Sequence, residues 1–191
     1  MGPRLTVVRE GALDVAGHTS IAALLALAFP DFREGYAGSR SWAGAQPELR
    51  VLAHDGDELV AHAGIRRMFV AVGDDAGDPA DDVLVGSTGM VAVHPGRQGQ
   101  GLGTLLADGI RGALARLAVP FGLLETGDAT TGYYTRHGWI ALDGRTGHYN
   151  GFTLRGAAEV VHQDHGWLML PVTAPADDFP AGDLHVNGQL V

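Results

Sequence analysis

The chain has no cysteine and no lysine among its 191 residues. Without cysteine there is no disulfide, no thiolate metal site and no cysteine nucleophile. All 13 basic residues are arginine, and 22 acidic residues bring the formal net charge to −9. That balance argues against a nucleic-acid binder, which would show a basic stripe. It suits a cationic small substrate, and equally a plain acidic surface. No apolar run reaches the ~18 residues of a membrane span, and the N-terminus lacks a charged-then-apolar signal region, so a cytoplasmic protein is expected. His162 and His165 stand without an H-E-x-x-H or a second ligand pair, so no metal is expected. Ser39, Ser41 and Ser87 lack the strand–turn–helix context of a nucleophilic serine.

What is present is ordinary for a globular protein. With 46% hydrophobic residues and 18% charged, 191 residues suffice for one domain, 1–191, with a real core. Residues 4–9 pattern as a strand. Thr19 and Ser20 are placed to cap a helix through Phe29, with Ile21, Leu24, Leu25 and Ala28 on its apolar face and Pro30 ending it. The segment 30–47 has glycine, proline and aromatics without periodicity, as in a long loop or broken helix. Strands near 48–54 and 58–72 are joined at Asp55-Gly56, and 73–82 is an acidic, glycine-rich loop. A strand at 83–93 leads to a helix from Leu102 through Leu117, closed by Pro120. Then follow a buried strand at 121–125, a short helix at 128–137 stopped by Gly138, and a strand at 139–142. After a weakly patterned region, 166–172 is the last clear strand, and no internal repeat occurs.

The most informative stretch is 91–106, VAVHPGRQGQGLGTLL. His94-Pro95 ends the strand, because the residue before a proline is held extended and proline donates no ladder hydrogen bond. Gly99, Gly101 and Gly103 then run into the helix. Glycine tolerates positive φ and lets several backbone N–H groups converge, which at a helix N-terminus makes an anion site for phosphate or pyrophosphate. The dinucleotide fingerprint fits less well, since no acidic residue ends a second strand about twenty residues on.

The pattern Gln98-x-x-Gly101-x-Gly103, between strand and helix, resembles the pyrophosphate loop of the GNAT N-acyltransferase superfamily, which cradles coenzyme A. The element order over roughly 48–142 is similar to the GNAT core. Tyr133-Tyr134-Thr135-Arg136-His137-Gly138-Trp139 resembles the superfamily signature of a tyrosine four residues before a Gly-aromatic pair. The resemblance implies that Tyr134 is the general acid returning a proton to the departing thiolate. A phenol of pKa ~10 suits that role, and a core aromatic with a capping hydroxyl is the structural alternative. At family level, GSRSWAGAQPELR (38–50) and AHAGIRR (61–67) resemble the nodulation N-acyltransferase family, NodA. That family acylates the free amine of a chitin-derived oligosaccharide from an acyl carrier protein. Asp31-Phe32, Ala61-His62, Tyr134 with Gly138-Trp139, and Ala181-Gly182-Asp183 are similar to aminoglycoside 2′-N-acetyltransferases, whose acidic residues hold a polycationic sugar. By that resemblance Asp31, Asp164 and Asp183 bind substrate. Trp42 either lines a sugar or acyl site or is core. Those families carry a glutamate just before the glycine loop, where this chain reads Gly86-Ser87-Thr88-Gly89-Met90. The base is therefore open: His62 and His94 have a suitable unperturbed pKa, and a structural histidine or a water chain are the alternatives.

These resemblances imply an α/β GNAT domain, an α+β arrangement whose central, largely antiparallel mixed sheet is splayed where the thioester enters. The implied reaction is transfer of an acyl group, most simply acetyl from acetyl-CoA as co-substrate, to a primary amine of an amino-sugar compound such as an aminoglycoside. Donor pyrophosphate would sit on the N–H groups of Gln98, Gly99, Gln100, Gly101, Leu102 and Gly103. The N–H groups of Val91, Ala92 and Val93 would polarise the thioester carbonyl. The catalytic residues would be Tyr134 and His62. One alternative is a longer acyl chain delivered by an acyl carrier protein, with Arg66, Arg67 and Arg97 as a local basic patch. Another is a non-catalytic GNAT-like binding or regulatory module, against which the intact loop and Tyr134 argue. Expected partners are a small-molecule amine, the carrier protein in the long-chain case, and a second copy of the chain as a homodimer; nucleic acid and membrane are not expected.

Overall fold

A computed structural model describes residues 2–74, 81–152 and 159–191. In chain order the elements are β1 (Arg4–Arg9), α1 (Val15–Ala28), β2 (Leu49–Asp55), β3 (Glu58–Gly73), β4 (Asp81–Val93), α2 (Leu102–Arg116), β5 (Phe121–Glu125), α3 (Asp128–Arg136), β6 (Ile140–Ala141), β7 (Gly147–Asn150), β8 (Val160–Gln163), β9 (Trp167–Pro171) and β10 (Asp183–Val186). The expected loop at 73–82 lies largely outside the described residues. The contacts divide into two compact units, 1–66 with 88–113 and 191, and 67–87 with 114–190. The long strands β3 and β4 contribute residues to both.

In the first unit β2 pairs antiparallel with β1 from Arg9↔Leu49 to Arg4↔His54, and with β3 from Leu49↔Ile65 to Asp55↔Glu58. Gly56, at φ +61°, makes the tight turn between β2 and β3 that Asp55-Gly56 announces. Period-two alternation sends successive β2 residues to opposite faces. Leu52 joins Ile21, Leu24 and Leu25 of α1, Leu59 of β3 and Ala92 of β4 in one buried cluster. Val51 faces the other way, toward Gly109 of α2, where a Cβ would stand 2.6 Å from the valine methyl and 2.7 Å from Leu5. Gly109 is thus what lets α2 lie close on β1 and β2.

The start of α1 differs from the sequence expectation. Asp14 is the cap, its side chain accepting from Gly17 N–H at 2.8 Å. Thr19 and Ser20 sit inside the helix, and their hydroxyls donate to the carbonyls of Val15 and Ala16 four residues back. Any of the three side chains can cap, and here Asp14 does so one turn before Thr19.

In the second unit β5 pairs parallel with β4 through Val85↔Phe121, Gly86↔Gly122 and Ser87↔Leu123. That pairing stops at Ser87, although β4 runs on to Val93. On its other edge β5 pairs antiparallel with β9, and β9 with β6. The second half of β3 pairs antiparallel with β10, which lies parallel to β7, itself antiparallel to β8. The sheet is therefore mixed and largely antiparallel, as expected for a GNAT fold. Its core gathers Val70, Val85, Phe121, Met169 and Leu184 around Trp167, which is 2% exposed and donates its indole N–H to Gln163 carbonyl at 2.9 Å. A Cβ at Gly147 would collide with that indole ring, so only glycine lets β7 pass over it.

Candidate functional site

The glycine loop is built from both ends. His94 Nδ1 accepts from Gly96 N–H at 3.1 Å, starting a 3-10 turn over Pro95–Arg97. Arg97 pairs with Asp55 and, at 3.8 Å, with Glu58, tying the turn to the β2–β3 hairpin. Gln98 is extended, Gly99 and Gly101 adopt φ +75° and +80°, and α2 begins at Leu102. Among the described residues, the N–H groups of Gly99, Gln100, Gly101 and Leu102 donate to no protein acceptor. A helix leaves its first N–H groups unpaired, and here Gly99, Gln100 and Gly101 are exposed while the Leu102 side chain is buried beneath them. A Cβ on Gly99 or Gly101 would meet nothing within 4 Å, so glycine is required there for positive φ and not for protein packing. The loop is an exposed anion cradle at the positive end of a 15-residue helix.

Just before it, β4 carries an irregularity that sequence reasoning did not foresee. Met90 has φ +50°, a left-handed conformation rare for a bulky residue and here in mid-strand. It follows Gly89, where a Cβ would collide with the carbonyl of Val191. The Met90 carbonyl accepts from Nδ1 of His62 at 2.9 Å. On its other side His62 Nε2 lies 3.0 Å from Arg50 Nη1. Arg50 can only donate, so Nε2 accepts and the ring proton is on Nδ1. All five guanidinium N–H bonds are used: two go to Glu10 at 2.6 and 3.0 Å, two to the Ser41 carbonyl and hydroxyl at 3.0 and 3.1 Å, and one to His62. Arg50, Ser41 and His62 are fully buried, and Glu10 nearly so. The Ser41 hydroxyl also meets His18 Nδ1 of α1 at 2.8 Å.

This corrects the expectation that His62 acts as base. Neither ring nitrogen is free, and burial, then the charge of Arg50, push its pKa down to about 3, so it stays neutral without accepting a substrate proton. His94 spends Nδ1 on capping its own turn, accepting from Gly96 N–H. The signal for this network was legible only in part. A charged residue inside the apolar run ELRVLAH demands a buried partner, but nothing local says that the partner is Glu10.

The other expected site residues divide between the units. Asp31 is exposed in the 3-10 turn that follows α1, and Trp42, half-buried, tilts against His18 with ring centroids 5.7 Å apart. Tyr134 belongs to the second unit. It is 7% exposed on α3, edge-on to Tyr133 and Trp139 at 4.9 and 5.9 Å. Burial, then Tyr133, raise its pKa well above the ordinary phenol value, so it holds its proton at neutral pH. Among the described residues its hydroxyl has no hydrogen-bond partner, which favours a donor role over a structural cap. Gly138, at φ +86°, ends α3 and turns Trp139 back so that its N–H reaches the Tyr134 carbonyl at 3.2 Å. Asp164 and Asp183 already have local partners. Asp164 binds its neighbour His165 at 2.7 Å and is 83% exposed, while Asp183 accepts from Thr146 N–H at 2.8 Å, linking β10 to β7. Glu125, at the end of β5, is a half-buried carboxylate that sequence reasoning passed over, its pKa raised by burial. Among the described residues no three acidic, histidine or cysteine side chains are grouped to hold a metal, and no helix is long and apolar enough to cross a membrane.

Comparison with known proteins puts these features in context. The family model for nodulation protein A (NodA) matches residues 4–190. A nodulation protein A of Mesorhizobium plurifarium is 34% identical over 78% of this chain and 75% of its own length. One of Rhizobium tropici is 36% identical, over 59% of this chain and 56% of that protein. Among solved structures, a GNAT family N-acetyltransferase (YhbS) from Escherichia coli in complex with CoA superposes with a TM-score of 0.61 at 17% identity, covering 98% of this chain and 92% of that one. At that identity the likeness speaks for the fold alone. The family match favours the nodulation alternative of the sequence reading over the aminoglycoside one, which none of these relatives supports. The chain belongs to the nodulation protein A family and is an N-acyltransferase enzyme with a GNAT fold.

Proposed function

We propose that the protein transfers an acyl group from a pantetheine thioester to the free primary amine of an amino-sugar oligosaccharide, in the manner its nodulation relatives suggest. The observation that carries this reading is the cradle of unpaired N–H groups at Gly99–Leu102, in a chain matched over 4–190 by that family. The cradle suits the pyrophosphate of coenzyme A, and a donor borne on a carrier protein would present its single phosphate to the same groups. The chain acts as one domain, the extent of the family match. In this reading a backbone N–H within Val91 to Val93 polarises the thioester oxygen as charge grows on it, and Gln98 to Gly103 hold the donor. With no cysteine in the chain, the amine attacks the thioester carbon directly; the C–N bond forms, the C–S bond breaks, and Tyr134 protonates the departing thiolate. The amine's proton leaves to solvent, for which neither His62 nor His94 is needed. Asp31 and Trp42 remain candidates for the acceptor side; Asp164 and Asp183 are weaker ones because their carboxylates are engaged locally.

The test is a matrix of donors and acceptors. Acetyl-CoA, long-chain acyl-CoA and long-chain acyl carrier protein are each offered with a de-N-acetylated chitin oligosaccharide, an aminoglycoside and a lysine peptide, and products are read by mass spectrometry. The expected product is an amide on the chitin-derived amine. Turnover only on the aminoglycoside or the peptide would refute the proposed acceptor.

A further inference from the structure

The most constrained buried polar group in the first unit is spent on a carbonyl. A guanidinium with all five N–H bonds satisfied fixes the acceptor of His62, and His62 in turn spends its single N–H on the backbone oxygen of Met90. Met90 and Ala118 are the only described non-glycine residues with positive φ. A residue with a β-carbon is strained in the left-handed region, so the conformation persists only where its surroundings enforce it. Three enforcers stand around this one: the His62 hydrogen bond, Gly89 closed in by Val191, and Gly64, where a Cβ would lie 2.8 Å from the Met90 terminal methyl. The peptide whose oxygen His62 holds is the one whose nitrogen belongs to Val91. Its C=O and N–H are rigidly opposed across one plane, so fixing the oxygen fixes the direction of the Val91 N–H.

We propose that Glu10, Arg50 and His62 form a positioning chain that aims the Val91 N–H at the thioester carbonyl by gripping the opposite end of the same peptide. This rests on the assignment of donor binding under Proposed function and extends it to residues that touch neither donor nor acceptor. His62 is a positioning residue, not a base. Arg50 selects the tautomer, since a ring protonated at Nε2 would direct an N–H at a group with no lone pair. Glu10 keeps the guanidinium neutralised and fixed. Ser41 ties the loop that carries Trp42 to the same guanidinium.

Two near-isosteric substitutions separate this role from packing. Asn at position 62 places an amide N–H close to where Nδ1 stands and leaves Arg50 one acceptor short. Gln reaches the position of Nε2 but has no N–H facing Met90. His62→Ala and His62→Gln should lower kcat about 10- to 100-fold with donor KM little changed, less than the ~10²–10³-fold for removing one oxyanion donor outright, because the Val91 N–H is misdirected and not lost. His62→Asn should recover most of that loss although its melting temperature falls as far as that of the Gln variant. The acid limb of kcat/KM against pH should stay in place in His62→Asn. Equal rates for Asn and Gln would overturn the proposal, and disappearance of the acid limb in His62→Asn would make His62 a base after all. The amide resonance of Val91 gives a readout independent of turnover: it should shift in the Ala and Gln variants and return in the Asn variant. Should no donor–acceptor pair give turnover, the proposed function fails, while an unshifted Val91 amide in all three variants sinks the positioning chain itself.

Discussion

Acid should destabilise this protein through one residue. His62 is wholly buried between Arg50 and the Met90 carbonyl, and its pKa is pushed from the usual 6.5 to about 3. In the unfolded chain the ring takes a proton near pH 6.5, whereas in the folded chain it does so only near pH 3. The unfolded state therefore binds more protons throughout that window, and stability falls as pH drops through it. At pH 4.5 the loss is about two units at 1.36 kcal/mol each, or ~3 kcal/mol, with a ceiling of ~5 kcal/mol below pH 3. For a domain of this size ~3 kcal/mol corresponds to a fall of roughly 6–12 °C in melting temperature. Scanning calorimetry of the parent and His62→Asn between pH 7.5 and 4.5 isolates the contribution, because the carboxylates are common to both proteins. At pH 7.5 the Asn variant should melt lower, since an unsatisfied buried donor on Arg50 costs ~1–3 kcal/mol. Toward pH 4.5 the two curves should converge and then cross. Parallel curves over the whole range would refute both the buried neutral ring and the tautomer assigned to it.

Three further outcomes follow from the site. Tyr134→Phe should lower kcat by about 10²-fold, the low end for an acid–base group, with coenzyme A affinity and melting temperature near the parent's, because the lost hydroxyl has no protein partner; a variant turning over at above half the parent rate would end its role as acid. Gly101→Val should weaken donor binding by at least ~1–2 kcal/mol, since valine cannot hold φ +80° without strain, and calorimetry showing unchanged coenzyme A affinity would remove the loop from the donor site. Glu125 has a raised pKa from burial, so it favours the folded state below the ordinary carboxylate range and disfavours it as pH rises. Glu125→Gln should accordingly raise the melting temperature at pH 7 and lose that advantage near pH 4; a destabilised variant at pH 7 would mean that the charged carboxylate has a partner that matters.

The elements that the sequence displays are those with strong local pattern. The strands β1 to β5, the helices α2 and α3 and the glycine loop are legible because apolar period, proline stops and glycine turns coincide there. The strands β7, β8 and β10 are four residues each, GHYN, VVHQ and DLHV, too short and too polar to show alternation, and only pairing across the sheet makes them strands. The loop's geometry was readable from its glycines, since positive φ at Gly99 and Gly101 just before a helix is what that spacing announces. The network behind Met90 was not readable, because Glu10 and Arg50 are 40 residues apart and His62 a further 12, and each alone is unremarkable. Asp164 and Asp183 are the converse case: motif likeness points both carboxylates at substrate, and the fold gives each a nearer partner that sequence alone does not show.

Direct transfer from donor to amine is tested by mixing the protein in excess with an acyl thioester, first alone and then with the de-N-acetylated chitin oligosaccharide. Thiol release and the intact mass of the protein are followed together. The account predicts that thiol appears only when the amine is added, that the acyl group is recovered as an amide on the sugar, and that the protein's mass never changes. Thiol released at the same rate without the amine, or a protein carrying the acyl group before the amine arrives, would contradict it.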